Sequence, residues 1–357
     1  LLTIYFVQQY FIEKKGYFWL LAGLALGAAM LSKYTAFMIL PGIFLYLLID
    51  RRYRSALLAP WPWLGLLLAL LVFFPVIWWN FQKEWASFIF QFGDRAEAAS
   101  RFKPHLFGQL IASQLAILTP LIFVLFLKLP YDLWKKRVYH GAPLFFFLSG
   151  VFLIGAFVLY SFCSLVKMNW LLPGYISFLP ALALLWTAKL RRGGILFRAA
   201  ALFSLILIVF AHLMLLIPNF PLGEGNTWSG WKEAAPAIEK LQQEQGGEKA
   251  IFLFANSYKY AAQTQFYLQD KSQRVYAQNI YGKPALQFDY WPLPDSLIGK
   301  DALYIIADRR EYKNDLKYVQ AFFDSIWRQD DFISYFREKP IRKISVYYAK
   351  NYHGISK

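Results

Sequence analysis

Lys33 is the side chain in this sequence whose position most demands a chemical role. It interrupts the run LLAGLALGAAMLSKYTAFMILPGIFLYLLI, residues 20–49, which is otherwise free of charge. A lysine near a bilayer centre costs about 2.5–3.5 kcal/mol to insert, so it must face a cavity or a partner. Tyr34 and Thr35 follow it directly, and an ammonium beside two hydroxyls suits a phosphate or headgroup. Pairing with a buried carboxylate is the plainer alternative. A second cluster, SLVKMNWLLPGY at 164–175, sets Lys167, Asn169 and Trp170 at the edge of an apolar run. Snorkelling accounts for Lys167 alone; the amine, amide and indole together point to substrate contact. A third stretch, WWNFQKEWASFIFQF at 78–92, holds Asn80, Lys83 and Glu84 among Trp78, Trp79 and Trp85. It reads as an interfacial helix with aromatic anchors, as a loop over a lipid-substrate groove, or as both. In GDRAEAASRFKPH at 93–105, Arg95, Arg101 and Lys103 are either a phosphate clamp or solvated loop charges.

Other chemistries find no support. His105, His140, His212 and His353 are scattered, without metal-ligand spacing. There is no Walker loop, no GxSxG elbow and no GxGxxG ahead of a helix. The single cysteine, Cys163, allows no intrachain disulfide. Glu84, Asp94 and Glu97 are the acidic residues on the same side as Lys33, and none stands as an obvious catalytic base.

The elements that must carry these groups are membrane helices. The chain is 58% hydrophobic and 17% charged, well below the charge of a soluble domain. Residues 1–217 hold 19 Lys/Arg against 6 Asp/Glu, whereas 218–357 hold 19 against 16. The basic balance is therefore a membrane-topology signal, and a nucleic-acid partner is not expected. The first apolar run is short for a span and reads as a partial helix. Seven spans follow, at about 17–34, 36–50, 58–79, 106–129, 142–162, 169–189 and 197–217. The 17–50 region is tight for two, and Pro41-Gly42 is expected to kink the second. Alternate loops at 13–15, 51–54, 128–137 and 189–198 hold 13 basic residues, against six on the other side. That asymmetry makes the richer loops cytoplasmic and delivers residues 218–357 to the outside. The expected fold class is an α-helical polytopic membrane protein with a small C-terminal extracytoplasmic α/β domain, divided as 1–217 and 218–357. In the outer part, 231–245 reads as an amphipathic helix, 257–268 and 313–327 as helices, and 250–255, 302–307 and 344–349 as strands.

The order of these pieces resembles GT-C type polytopic glycosyltransferases, and most of all the bacterial dolichyl-phosphate-mannose protein mannosyltransferase-like branch (family 39 and the aminoarabinose-transferase-like proteins). The similarity is carried by GLALGAAMLSKYTAFMILPG (23–42), FFPVIWWNFQKEWASFIFQF (73–92), QLAILTPLIF (114–123) and KMNWLLPGYISFLPAL (167–182). Outside the spans, GWKEAA (230–235), AAQTQFYL (261–268) and QFDYW (287–291) also look like this branch. The resemblance implies a GT-C-like fold in the bacterial inner membrane. It implies a sugar donor on a polyprenyl phosphate, of which undecaprenyl phosphate is the expected carrier, and a lipid, glycan or protein acceptor at the outer face. In such enzymes an acidic residue of the first outer loop activates the acceptor, often near a divalent cation, and the lipid phosphate leaves. That loop is expected upstream of Leu1, so the chain as it stands is expected to be an inactive fragment whose catalytic residue is unknown. Lys33, Arg95 and Lys167 are the candidates for stabilising the phosphate, with Tyr34, Asn80, Asn169 and Trp170 as further contacts. A non-catalytic envelope scaffold and a lipid-linked-sugar transporter are the other classes compatible with the residues.

Overall fold

The computed structural model describes residues 1–94, 101–191, 195–216, 229–307 and 315–355. The chain divides into two compact units, Leu1–Ile206 and Leu207–Lys357.

The described residues of the first unit form helices joined by turns and loops. Helix α1 (Leu2–Glu13) ends at Lys14, which takes the left-handed conformation. Helix α2 (Tyr17–Ser32) stops where Lys33 turns extended, with φ −156° and ψ 120°. A 3-10 turn (Tyr34–Met38) then leads into α3 (Ile39–Ile49). The tight 17–50 pair is thus two short helices around a break, and the break lies at Lys33. Pro41 falls in the first turn of α3, where its missing N–H has no partner to lose, so the kink expected there is replaced by the break just before it.

Helices α4 (Pro60–Gln82), α5 (Pro104–Lys135) and α6 (Ala142–Tyr160) follow, and then α7 (Leu172–Arg191) and α8 (Ile195–Leu215). Among the described residues α4, α5 and α6 are long and apolar enough to cross a membrane, and four shorter apolar helical stretches accompany them. The protein is therefore a polytopic, mostly helical membrane protein with at least three long apolar helices. Helix α5 is broken at Thr119, which has φ 63° and ψ 150°. Pro120 cannot donate to the helix ladder and pushes the residue before it out of the α region, which accounts for the extended ψ of Thr119. The Thr119 hydroxyl is bonded to Ser204 Oγ at 2.9 Å.

Close helix contacts depend on glycine. A Cβ on Gly23 would lie 2.0 Å from the Gly65 carbonyl oxygen, and one on Gly150 would lie 2.4 Å from that of Gly174. Lipid tails give little hydrophobic drive for helix association, so backbone approach of this kind supplies the packing.

The second unit contains a five-stranded sheet in the order β2-β1-β3-β5-β4. Strand β1 (Ile251–Ala255) pairs in parallel with β2 (Val275–Tyr276) and β3 (Asp301–Ala307), and β5 (Lys339–Tyr352) runs antiparallel to β3 and to β4 (Phe323–Phe336). All five residues of β1 are buried, as a continuous apolar run requires of a central parallel strand. Helices α9 (Trp231–Glu244) and α10 (Tyr258–Tyr267) contribute Ala234, Ile238 and Ala261 to the core on one face, while Phe252, Phe254, Tyr304 and Phe323 fill the other. The helix expected over 313–327 is only Asp315–Gln320 (α11), and β4 begins at Phe323. Long-range pairing overrides the local preference here: Trp327 lies opposite Tyr348 and stacks on it at 4.8 Å.

Candidate functional site

The break after α2 sets Lys33 and Tyr34 on the wall of a cavity of about 590 Å³. Its lining comes from three parts of the first unit that are remote in sequence. The 32–38 turn gives Ser32, Lys33, Tyr34, Thr35, Phe37 and Met38; the stretch after α4 gives Ser87 and Gln91; the end of α6 and the loop behind it give Tyr160, Lys167 and Trp170. That volume falls within the range of small-molecule sites.

Local structure explains how each wall is held. Asn80 has no exposed surface and organises the reversal of the chain after α4. Its backbone carbonyl accepts from Trp85 N at 2.7 Å, and its side-chain Oδ1 accepts from Ser87 N at 3.1 Å and Ser87 Oγ at 2.6 Å. Glu84 and Trp85 both have positive φ in this turn, a backbone strain that the bonds to Asn80 offset. Since the single Ser87 hydroxyl proton goes to Asn80, the 3.1 Å contact between Tyr34 and Ser87 has Tyr34 donating. Tyr34 is fixed further by Phe88, stacked at 5.5 Å, and by the edge of Phe73 at 5.7 Å. On the other wall Trp170 packs against Phe157 at 5.2 Å. The loop before α7 is tied to the start of α5 by Lys103 N donating to Phe162 O at 2.6 Å.

The electrostatics are one-sided. Among the described residues Lys33 and Lys167 form no ion pair, and no described lining residue carries a carboxylate. Thr35 Oγ1 is buried without a hydrogen-bond partner; an orphaned hydroxyl of this kind is unfavourable unless something else meets it. Two amines, several hydroxyls and an aromatic wall have the chemistry to meet an anion attached to an apolar or ring-bearing body. They do not fit a hard divalent cation, which needs several oxygen ligands and usually carboxylates. No group of three metal-ligating side chains occurs among the described residues.

The residues singled out from the sequence are distributed as follows. Lys33, Tyr34, Thr35, Lys167 and Trp170 share the cavity. Asn80 lies beneath it and reaches it through Ser87. Asn169 is exposed and does not line it, Arg101 is exposed, and Lys103 is half-buried outside it. Arg95 lies outside the described residues. Ser87, Gln91 and Tyr160 were missed, because nothing in their spacing announces a role.

The opposite end of the helices is organised differently. Asp50, 3% exposed, accepts from Arg52 Nη2 at 2.7 Å and Arg52 Nε at 2.9 Å, from the Tyr46 hydroxyl at 3.0 Å, and from Gly141 N at 3.3 Å. The Arg52 guanidinium, with smaller help from Gly141 and Tyr46, holds this carboxyl well below the usual carboxylate range against the effect of burial. Lys14 lies over the Tyr53 ring at 3.7 Å, and Arg54 donates to the Leu48 carbonyl at 2.6 Å.

Residues 1–79 match the family model described as dolichyl-phosphate-mannose-protein mannosyltransferase. The match runs from α1 almost to the end of α4 and includes Lys33, Tyr34 and Thr35. Over these residues the chain is similar to that family. Searches of curated proteins and of solved structures each return no match.

Proposed function

We propose that this protein is a membrane glycosyltransferase component that binds the phosphate of a polyprenyl-phosphate-linked sugar, with undecaprenyl phosphate as the carrier. The observation that carries the reading is the convergence of Lys33 and Lys167 on one cavity whose described lining holds no carboxylate, within a chain whose first 79 residues match a family of lipid-phosphate-sugar enzymes. As the sugar leaves, charge grows on the lipid phosphate, and preformed cationic donors stabilise that charge. Lys33 and Lys167 supply it, Tyr34 and Thr35 offer hydroxyls at the same level, and Trp170 gives a face for the sugar or the first isoprene unit. The acceptor, whether lipid, glycan or protein, would be met at the outer face of a bacterial inner membrane. The basic loops then lie in the cytoplasm and the sheet-containing unit lies outside. No described lining residue is given the role of the base that takes the acceptor's proton, and no step is routed through a metal.

The test is binding of farnesyl phosphate, against farnesol as control, to the full chain in nanodiscs. The phosphate is expected to raise affinity at least tenfold in the wild type, and Lys33→Ala or Lys167→Ala should remove most of that gain. Equal affinity for farnesol and its phosphate would sink the reading.

A further inference from the structure

Gln114 does not touch the cavity, yet it is the buried polar residue through which α5 reaches the loop carrying Lys167. It is 1% exposed. Its Nε2 donates to the Met168 carbonyl at 3.2 Å and to Ser113 Oγ at 3.0 Å, and its Oε1 accepts from the Tyr175 hydroxyl at 3.1 Å. The orientation of the amide is fixed by chemistry, because the Met168 carbonyl can only accept. Met168 sits inside a tight turn closed by Trp170 N donating to Lys167 O at 3.0 Å. One carboxamide therefore holds the turn from which both Lys167 and Trp170 reach the cavity. Leucine would pack in this apolar helix without any desolvation penalty, so the polar group is present for its geometry.

We propose that Gln114 is the positioning residue for Lys167, setting the place of that ammonium on the cavity wall. This deepens the phosphate-binding reading and rests on it. In Gln114→Leu the Met168 carbonyl loses its donor and the 164–171 turn is released. Lys167 then visits the cavity as one of several positions, and its contribution to anion binding falls.

Two measurements on the full chain in nanodiscs test this. The first is hydrogen exchange over 164–171, expected to speed up at least tenfold in Gln114→Leu while α2 and α4 keep their protection; unchanged exchange in the turn overturns the proposal. The second is a double-mutant cycle read as farnesyl phosphate affinity. Gln114→Leu is expected to weaken binding about tenfold in the wild-type background and hardly at all in Lys167→Ala, since residues acting through one another are not additive. An equal loss in both backgrounds would mean that Gln114 supports the cavity in general, and would also overturn it. Should Gln114→Leu fail to insert, Gln114→Glu keeps the acceptor for Tyr175 but lacks a donor to Met168 unless protonated. Its turn should exchange faster than wild type at neutral pH and approach wild type in acid; parity at every pH counts against the proposal. If Lys167→Ala alone leaves phosphate binding intact, the phosphate reading has failed, and the exchange experiment still decides the positioning role.

Discussion

The two ends of the helices in the first unit are both basic, and they use their cations in opposite ways. At one end several cations have an answer in the protein: Arg52 on Asp50, Lys14 on the Tyr53 ring, Arg54 on the Leu48 carbonyl, and Lys136 on the Leu185 carbonyl. At the other, Lys33 and Lys167 meet across a cavity whose described lining contains no acid. A satisfied cation stabilises a fold and has little left for a ligand. A cation held by its backbone alone, beside a buried hydroxyl without a partner, is available to one. The difference separates residues that anchor helix ends from residues left open to a ligand.

Breaking the anchored end should have the largest effect. Asp50→Ala leaves the Tyr46 hydroxyl and the Gly141 N–H without their acceptor, two unsatisfied donors that together cost about 3 kcal/mol, while the Arg52 guanidinium is exposed enough to stay solvated. Thermal unfolding in detergent is expected to show that loss, with farnesyl phosphate affinity of the folded fraction unchanged. At the cavity end the pattern reverses. Lys33→Ala should weaken phosphate binding by about 2 kcal/mol, the usual worth of a hydrogen bond to a charged group, while leaving the melting temperature within a degree or two.

Acid should divide the ends again. Asp50 is depressed in the folded state, so its contribution is present above the ordinary carboxylate pKa of about 3.9. It is lost as pH falls below that value toward the lower folded one. The gap in melting temperature between wild type and Asp50→Ala is expected to be constant from pH 7 to 5 and to narrow below pH 4. A constant gap down to pH 3 would show that the carboxylate charge is not what joins Arg52, Tyr46 and Gly141. The smallest effect sharpens the comparison. Thr35→Val removes the orphaned hydroxyl, so it should be neutral or stabilising by up to about 1 kcal/mol and still weaken phosphate binding a few-fold. A mutation that helps the fold and harms the ligand marks a group kept for binding.

Much of this was legible in the sequence. Lys33 was visible because a single charge in a thirty-residue apolar run has to be explained, and Lys167 with Trp170 because amine and indole met at the edge of a span. That 17–50 holds two short helices was also readable from its length, whereas the break at Lys33 was not, the kink having been expected at Pro41-Gly42. What periodicity could not show was convergence: Ser87 and Gln91 become cavity residues only through the turn built on Asn80, and that turn relies on positive φ at Glu84 and Trp85. Asn80 itself was found for its polarity, and its bonds run inward to the turn. In the second unit the central strands were readable from their continuous apolar runs. Strand β4 was not, because the sequence around Trp327 takes its conformation from β5, which is a partner in space.

The shortness of α2 has a consequence for the lipid around it. Sixteen residues make a helix about 24 Å long, against a hydrocarbon layer of about 30 Å. A segment this short is accommodated by thinning of the bilayer, by snorkelling of flanking residues or by oligomerising. Thinning at the Lys33 end would bring the headgroup region toward the level of its ammonium, and with it any phosphate held in the membrane plane.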